Sequence, residues 1–195
     1  MKPRFRSHDL FANTASLTMS VSHRFAKLSF AAAAVLAMPS AQALTVTWDG
    51  GAGGTGTDLG TAANWSNDLT PNVATPDTIQ WNGTVGGSLS LVYSGTPSLA
   101  GTSGNGGLNI DLTAAQTGSL NIDSGLGTTA LRVNNITIAS GAGAFSLGNG
   151  LNTFNLTLGG AAGTQTWTNN SSNTATIGAD VVWGLGGGGA HTLAV

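Results

Sequence analysis

Short runs in which apolar and polar residues alternate recur through the second half of the chain: Leu108-Asn-Ile-Asp-Leu112, Leu120-Asn-Ile-Asp123, Leu131-Arg-Val133, Ile136-Thr-Ile138, Phe145-Ser-Leu147, Phe154-Asn-Leu-Thr-Leu158, Gln165-Thr-Trp-Thr168 and Ala175-Thr-Ile177. A period of two belongs to strands with one face buried and the other in water. Between the runs stand Gly, Asn and Ser clusters such as Ser140-Gly-Ala-Gly143 and Gly148-Asn-Gly150, which supply the positive backbone angles of turns. No segment after Ala43 keeps a helical period, and its Gly, Thr and Asn content penalises every helical turn. The pattern predicts an all-β chain.

Spacing selects among β architectures. Ile110 and Ile122 are twelve residues apart, Leu147, Leu156, Trp167 and Ile177 follow one another at nine to eleven, and the tetrapeptide Leu-Asn-Ile-Asp occurs twice. Short units of near-constant length and loose sequence suit a parallel β-helix, or β-solenoid, in which each unit places one or two apolar residues inside and stacks on its neighbour. Strands then lie about 4.8 Å apart in parallel register, and Asn or Thr can form ladders along the faces. The alternative is an antiparallel β-sandwich, which spaces its strands similarly. Hairpin signals are scarce, since beyond Leu108 only Asn149-Gly150 joins two runs in the manner of a tight turn, and the solenoid is preferred.

Charge divides the chain in two. Lys2, Arg4, Arg6, Arg24 and Lys27 all precede Ala31, whereas Asp49, Asp58, Asp68, Asp77, Asp111, Asp123 and Asp180 follow it with Arg132 as their one cationic counterpart, a net charge of −6. One arginine cannot neutralise a run of phosphates, which excludes nucleic acid and anionic membrane surfaces as partners. Cysteine is absent, so disulfides, thiolate metal sites and thiol nucleophiles are excluded.

The basic part has the order of a secretory signal peptide. Met19 to Lys27 is a basic n-region, Leu28 to Met38 an apolar h-region, and Pro39-Ser-Ala-Gln-Ala43 a small-x-small cleavage signal, which predicts a leader over residues 1–43 cut after Ala43. Residues 1–18 add a polar stretch that the signal does not need, and Met19 reads as the start. The apolar run is too short to cross a bilayer as a permanent helix, and no second span follows, so no membrane insertion of the mature segment is expected. A cysteine-free exported domain of about 150 residues, held by one core, suits a Gram-negative bacterium.

Within the mature part, residues 44–107 hold Trp48, Trp65, Trp81, Pro71, Pro76, Pro97 and the run Asp49-Gly-Gly-Ala-Gly-Gly-Thr-Gly56, and are expected to form an irregular, β-rich N-terminal cap. Residues 108–195 are proline-free and carry the expected solenoid repeats. Thr47-Trp48-Asp49-Gly-Gly51, Ala62-Ala-Asn-Trp65-Ser66 and Pro76-Asp77, with the later Gln165-Thr-Trp-Thr-Asn-Asn170 and Ile177-Gly178, resemble large bacterial surface proteins carrying autotransporter-associated β-strand repeats. The resemblance covers most of the mature chain and implies a parallel β-helix passenger region, displayed at the cell surface, associated with the outer membrane, or released. The pattern's C-terminal barrel and sorting motif are missing, and Thr192-Leu-Ala-Val195 reads as mid-strand, which implies the N-terminal piece of a longer, truncated protein.

Candidate chemistry is sparse. Gly53-Gly-Thr-Gly-Thr-Asp58 matches the first six positions of the calcium-binding nonapeptide G-G-x-G-x-D-x-U-x, but its eighth position is Gly60 and no tandem copy follows, so a surface glycine loop is the better reading. Asp111 and Asp123 share the Leu-Asn-Ile-Asp context; stacked on one face they would form a carboxylate pair of the kind glycoside hydrolases use. The period of two instead turns both into solvent. Arg132 is the sole candidate for the base that polysaccharide lyases on β-helices require, and a lone strand Arg reads as an outward, solubilising residue. His191 follows the run Gly186 to Gly189 and lacks the partners of a triad or metal site. Trp48, Trp65, Trp81, Trp167 and Trp183 offer flat faces for sugar rings, although cap or core positions are expected of most. The sequons at Asn82, Asn135 and Asn155 matter only in a eukaryotic secretory pathway.

No catalytic, cofactor-binding or metal-ligating residue is assigned. The expectation is a non-enzymatic exported surface module, stalk, cap or adhesive face, with extracellular glycans or other surface proteins as partners. The alternatives are a carbohydrate-binding module working through exposed tryptophans and, behind it, a polysaccharide-degrading enzyme.

Overall fold

The computed structural model describes residues 42–95, 99, 106–125, 129–148, 150, 152–159, 163–178, 181–185 and 191–195. Of the expected leader only Gln42 and Ala43 fall among them. The strands are β1 (Thr45–Thr47), β2 (Thr78–Trp81), β3 (Leu89–Tyr93), β4 (Leu108–Leu112), β5 (Leu120–Ser124), β6 (Thr129–Ile138), β7 (Phe145–Leu147), β8 (Phe154–Leu158), β9 (Gly163–Asn169), β10 (Ala175–Ile177), β11 (Val181–Leu185) and β12 (His191–Ala194). Every pairing between these strands is parallel. Parallel neighbours need a crossover between them, and here each crossover is the rest of one turn of a β-solenoid. The antiparallel sandwich is excluded.

The stack has three faces and about four turns. On the first, Ile79 of β2 pairs with Ile110 of β4, Ile110 with Ile136 of β6, and Ile136 with Trp167 of β9. On the second, Leu91, Ile122, Leu147 and Ile177 succeed one another through β3, β5, β7 and β10. On the third, Leu131 in the first half of β6 pairs with Leu156 of β8. β6 therefore serves two faces, bending at Asn134 and Asn135 between Leu131 and Val133 on one side and Ile136 and Ile138 on the other, all four buried.

The nine-to-twelve-residue spacing thus has another meaning than a stacking unit. It is the step from one face to the next around a single turn, as from Ile110 to Ile122 to Leu131. The stacking repeat is longer: Ile79, Ile110, Ile136 and Trp167 are 31, 26 and 31 residues apart. The two Leu-Asn-Ile-Asp copies lie on different sheets of one turn. The ladder also reaches further towards the N-terminus than residue 108, because β1, β2 and β3 already pair in register with it.

Alternation drives the core. Leu108, Ile110, Leu112, Leu120, Ile122, Phe154 and Leu156 are buried at 1% exposure or less, and burying such a side chain contributes about 1.5–3 kcal/mol. Over the first turn lies a tryptophan cluster. Trp48 meets Trp65 edge-on at 5.0 Å and stacks with Trp81 at 6.5 Å between ring centroids. The segment after β1 folds back through a 3-10 turn, Ala62–Asn64, so that Ser66 N–H donates to Thr47 O at 2.9 Å and Thr47 N–H to Ser66 Oγ at 3.2 Å. These bonds close the outer edge of β1, which would otherwise offer unpaired backbone groups.

Successive turns touch backbone to backbone at one corner. A Cβ on Gly118 would lie 1.9 Å from Gly87 O, and one on Gly143 2.2 Å from Gly118 O. Gln116, buried beside them, donates Nε2–H to Gly87 O at 2.8 Å and accepts Gly143 N–H at 2.9 Å through its main-chain carbonyl. Gly118→Ala must push turns apart and is expected to cost about 1–3 kcal/mol in urea unfolding. Gly86→Ala, where a Cβ meets nothing within 4 Å, is expected to stay within about 0.5 kcal/mol of wild type.

Tyr93, the sole tyrosine, is buried in β3 and its hydroxyl oxygen accepts Leu99 N–H. Burial pushes its phenol above 10.0, the Asp58 charge adds to this, and the Leu99 hydrogen bond opposes it. The folded state therefore holds its proton to higher pH than the unfolded chain does. Stability is complete below about pH 10 and falls as pH rises through the folded value. Denaturant midpoints measured across this range should decline with pH in wild type and decline less in Tyr93→Phe.

Candidate functional site

The outward positions of the first face form two columns of polar side chains. One runs Thr47, Gln80, Asp111, Thr137, Thr168 in register across β1, β2, β4, β6 and β9. The other contains Thr45, Thr78 and Asn109, then Asn135 and Thr166. Rungs of such a sheet lie about 4.8 Å apart. Part of this surface is a shallow groove of about 510 Å³, lined by Thr78, Asn109, Asp111, Asn135, Thr137 and Thr166 among others.

The second column is tied together along the stack. Asn109 Nδ2–H donates to Pro76 O at 3.2 Å, Asn135 Nδ2–H to Asn109 Oδ1 at 3.0 Å, and Thr166 N–H to Asn135 Oδ1 at 2.9 Å. In the first column Gln80 Nε2–H donates to Asp111 Oδ2 at 2.8 Å. An amide carries both donor and acceptor, so it can hand a hydrogen bond from turn to turn. The face presents fixed amides, hydroxyls and one carboxylate, a surface able to hydrogen-bond a neutral polar ligand.

Among the candidates from the sequence, Asp111 lies on this face. Asp111 and Asp123 occupy different sheets and do not pair; Asp123 Oδ1 accepts the Ser124 N–H at 2.7 Å. Arg132 is 7% exposed, which overturns the solubilising role. It stands on the outward side of β6, where Gly159 lies against its aliphatic stem and its main-chain N–H donates to Leu99 O at 3.0 Å. Asp58 Oδ1 accepts Gly60 N–H at 2.9 Å and Ser94 N–H at 3.2 Å, so the carboxylate of the glycine loop fastens that loop to β3. Trp48, Trp65 and Trp81 are at most 1% exposed and offer no face to a sugar ring. Trp167 lines an apolar cavity of about 260 Å³ with Ile136, Ile138, Phe145, Ile177 and Leu193, at the end of the stack opposite the tryptophan cap. His191 begins β12, and the side chains of His191 and Trp183 lie outside the described residues.

Among the described residues there is no group of three His, Cys, Asp or Glu that could hold a metal, and no helix long and apolar enough to cross a membrane. Comparison with protein-family models, curated proteins and solved structures finds no match.

In the sequence Asn135 stands out only as a sequon. Its partners are 26 and 31 residues away, a separation that becomes visible only once the turn length is known. Asn135→Ala removes two inter-turn hydrogen bonds and should cost about 1–2 kcal/mol. Because Asn109 shares one of them, the Asn109→Ala/Asn135→Ala double variant should fall short of the summed single losses by at least about 0.5 kcal/mol in urea unfolding.

Proposed function

We propose that this chain is an exported, non-enzymatic structural module: the capped N-terminal part of a passenger-like β-solenoid on the surface of a bacterium, with the Asn/Thr face as its contact surface. The observation that carries this reading is what the polar side chains are used for. Asn109, Asn135, Gln80, Asp111, Gln116 and Asp58 all hydrogen-bond other parts of the stack, so the groups that a catalytic site would free for substrate are engaged in holding turns in register.

The residues that carry the resemblance to autotransporter-associated repeat proteins support the same reading. Trp48, Trp65 and Ser66 close the first turn, and Asn64 accepts the Asp49 and Gly50 N–H groups at 3.1 and 3.2 Å through its main-chain carbonyl. A closed outer edge is what a solenoid needs at an end. Extracellular glycans or other surface proteins are the partners such a face would take. A carbohydrate-binding module working through Trp48, Trp65 or Trp81 is incompatible with their burial.

Expressed in a Gram-negative host, the full chain should leave the cytoplasm, and the exported material should be shorter by the leader. Fractionation followed by intact mass measures both, and full-length protein retained in the cytoplasm would refute export. Polysaccharides added to the purified protein should leave its tryptophan emission unchanged.

A further inference from the structure

Asp77 is a buried carboxylate, 4% exposed, and no feature of the Asn/Thr face accounts for it. Its Oδ1 accepts the Leu44 N–H and its Oδ2 the Asn72 N–H, each at 2.8 Å. The same short segment ties the first three rungs: Thr78 N–H donates to Leu44 O at 2.7 Å and Asn109 N–H to Asp77 O at 2.9 Å. Asp77 thus grips the residue that opens β1 while its own main chain is held between β1 and β4. Leu44 is also the residue after the small-x-small signal Ala41-Gln-Ala43. Gln42, Ala43 and Leu44 are all exposed.

We propose that Leu44 is the N-terminus of the exported protein and that the ammonium created there pairs with the Asp77 carboxylate, completing the cap only after the leader is removed. The inference rests on the export reading. A signal peptidase hydrolyses the Ala43–Leu44 peptide bond: water's hydroxyl joins the Ala43 carbonyl carbon, its hydrogen goes to Leu44 N, and a solvent proton makes the amine an ammonium. Before the cut the donor at Asp77 is a neutral amide. Afterwards it is a cation, and a charge-assisted hydrogen bond is roughly twice as strong as a neutral one.

The composition makes the test selective. Both lysines, Lys2 and Lys27, lie in the leader, so within residues 44–195 the cut leaves the α-amine of Leu44 as the one primary amine, and an amine-acetylating reagent applied to that chain modifies that position alone. Protein exported from the full chain should have the intact mass of a chain beginning at Leu44. Acetylation should be several-fold slower on the folded protein than in urea, and should lower its melting temperature by about 3 °C or more. In Asp77→Asn, the free and acetylated proteins should melt together. Should that variant fail to fold, the acetylation rate and melting shift of the wild-type protein still decide the matter. A different N-terminus, or equal melting temperatures for free and acetylated wild-type protein, overturns the inference. An exported protein cut elsewhere overturns it while leaving export intact, whereas an uncut cytoplasmic chain overturns both.

Discussion

The backbone hydrogen bond between one turn and the next is the constraint from which the rest of this structure follows. A parallel rung finds no partner within its own turn, so each strand depends on a strand some 25 to 33 residues away in sequence. That dependence aligns side chains in columns. An inward column is apolar, as Ile79, Ile110, Ile136 and Trp167 are, except where a polar member finds a partner inside, as Thr129 does by donating its hydroxyl to Ser124 Oγ at 2.9 Å, because a buried polar group without a partner is costly. An outward column can pass hydrogen bonds from turn to turn, as Asn109 and Asn135 do. A corner column must be small wherever backbones close to contact, and there Gly87, Gly118 and Gly143 follow one another.

The same constraint makes an end of the stack a problem of its own. An end rung has one side of its ladder open and its interior uncovered. At β1 both needs are met by one excursion of the chain. Trp65 returns against Trp48 in an antiparallel bridge, its indole N–H donates to Leu59 O at 3.0 Å, and Ser66 takes up the free edge. The reversal of strand direction is what ends the parallel ladder there, since the returning segment lies on the edge that another parallel rung would need.

Much of this was legible in the sequence, and what was missed has a physical reason. The alternating runs from Leu108 to Ile177 are all strands, because a period of two is a local property that needs no knowledge of partners. Two of them, Leu131-Arg-Val133 and Ile136-Thr-Ile138, are one continuous strand, since the solenoid corner at Asn134 and Asn135 is turned without either residue taking a positive φ. β11, Val181–Leu185, escaped notice because Val-Val-Trp-Gly-Leu is not an alternating run. The turn length could not be taken from local spacing: three faces of nine to twelve residues imitate three separate repeats. That shorter period is what makes a pairing of Asp111 and Asp123 on one face conceivable at all, beside the preferred reading in which both face solvent.

The candidate site was less legible than the fold for a related reason. Residue type at a position states what a side chain can do, but its role is set by the column it joins. Arg132 is outward in the pleat and yet buried, because packing from outside the strand covers that position. Asn135 carries the signature of a modification sequon and works as a rung of a ladder. Charged outward columns would give a soluble surface by repulsion; this chain, with one cation and seven acids after Ala43, has neutral amides and hydroxyls instead. In stacked columns that choice is favourable, since like charges about 4.8 Å apart repel whereas amides at the same separation bond. The lone acid of the first face, Asp111, is flanked by Gln80 and Thr137, neutral neighbours that leave its charge unopposed by another carboxylate and one of its oxygens bonded.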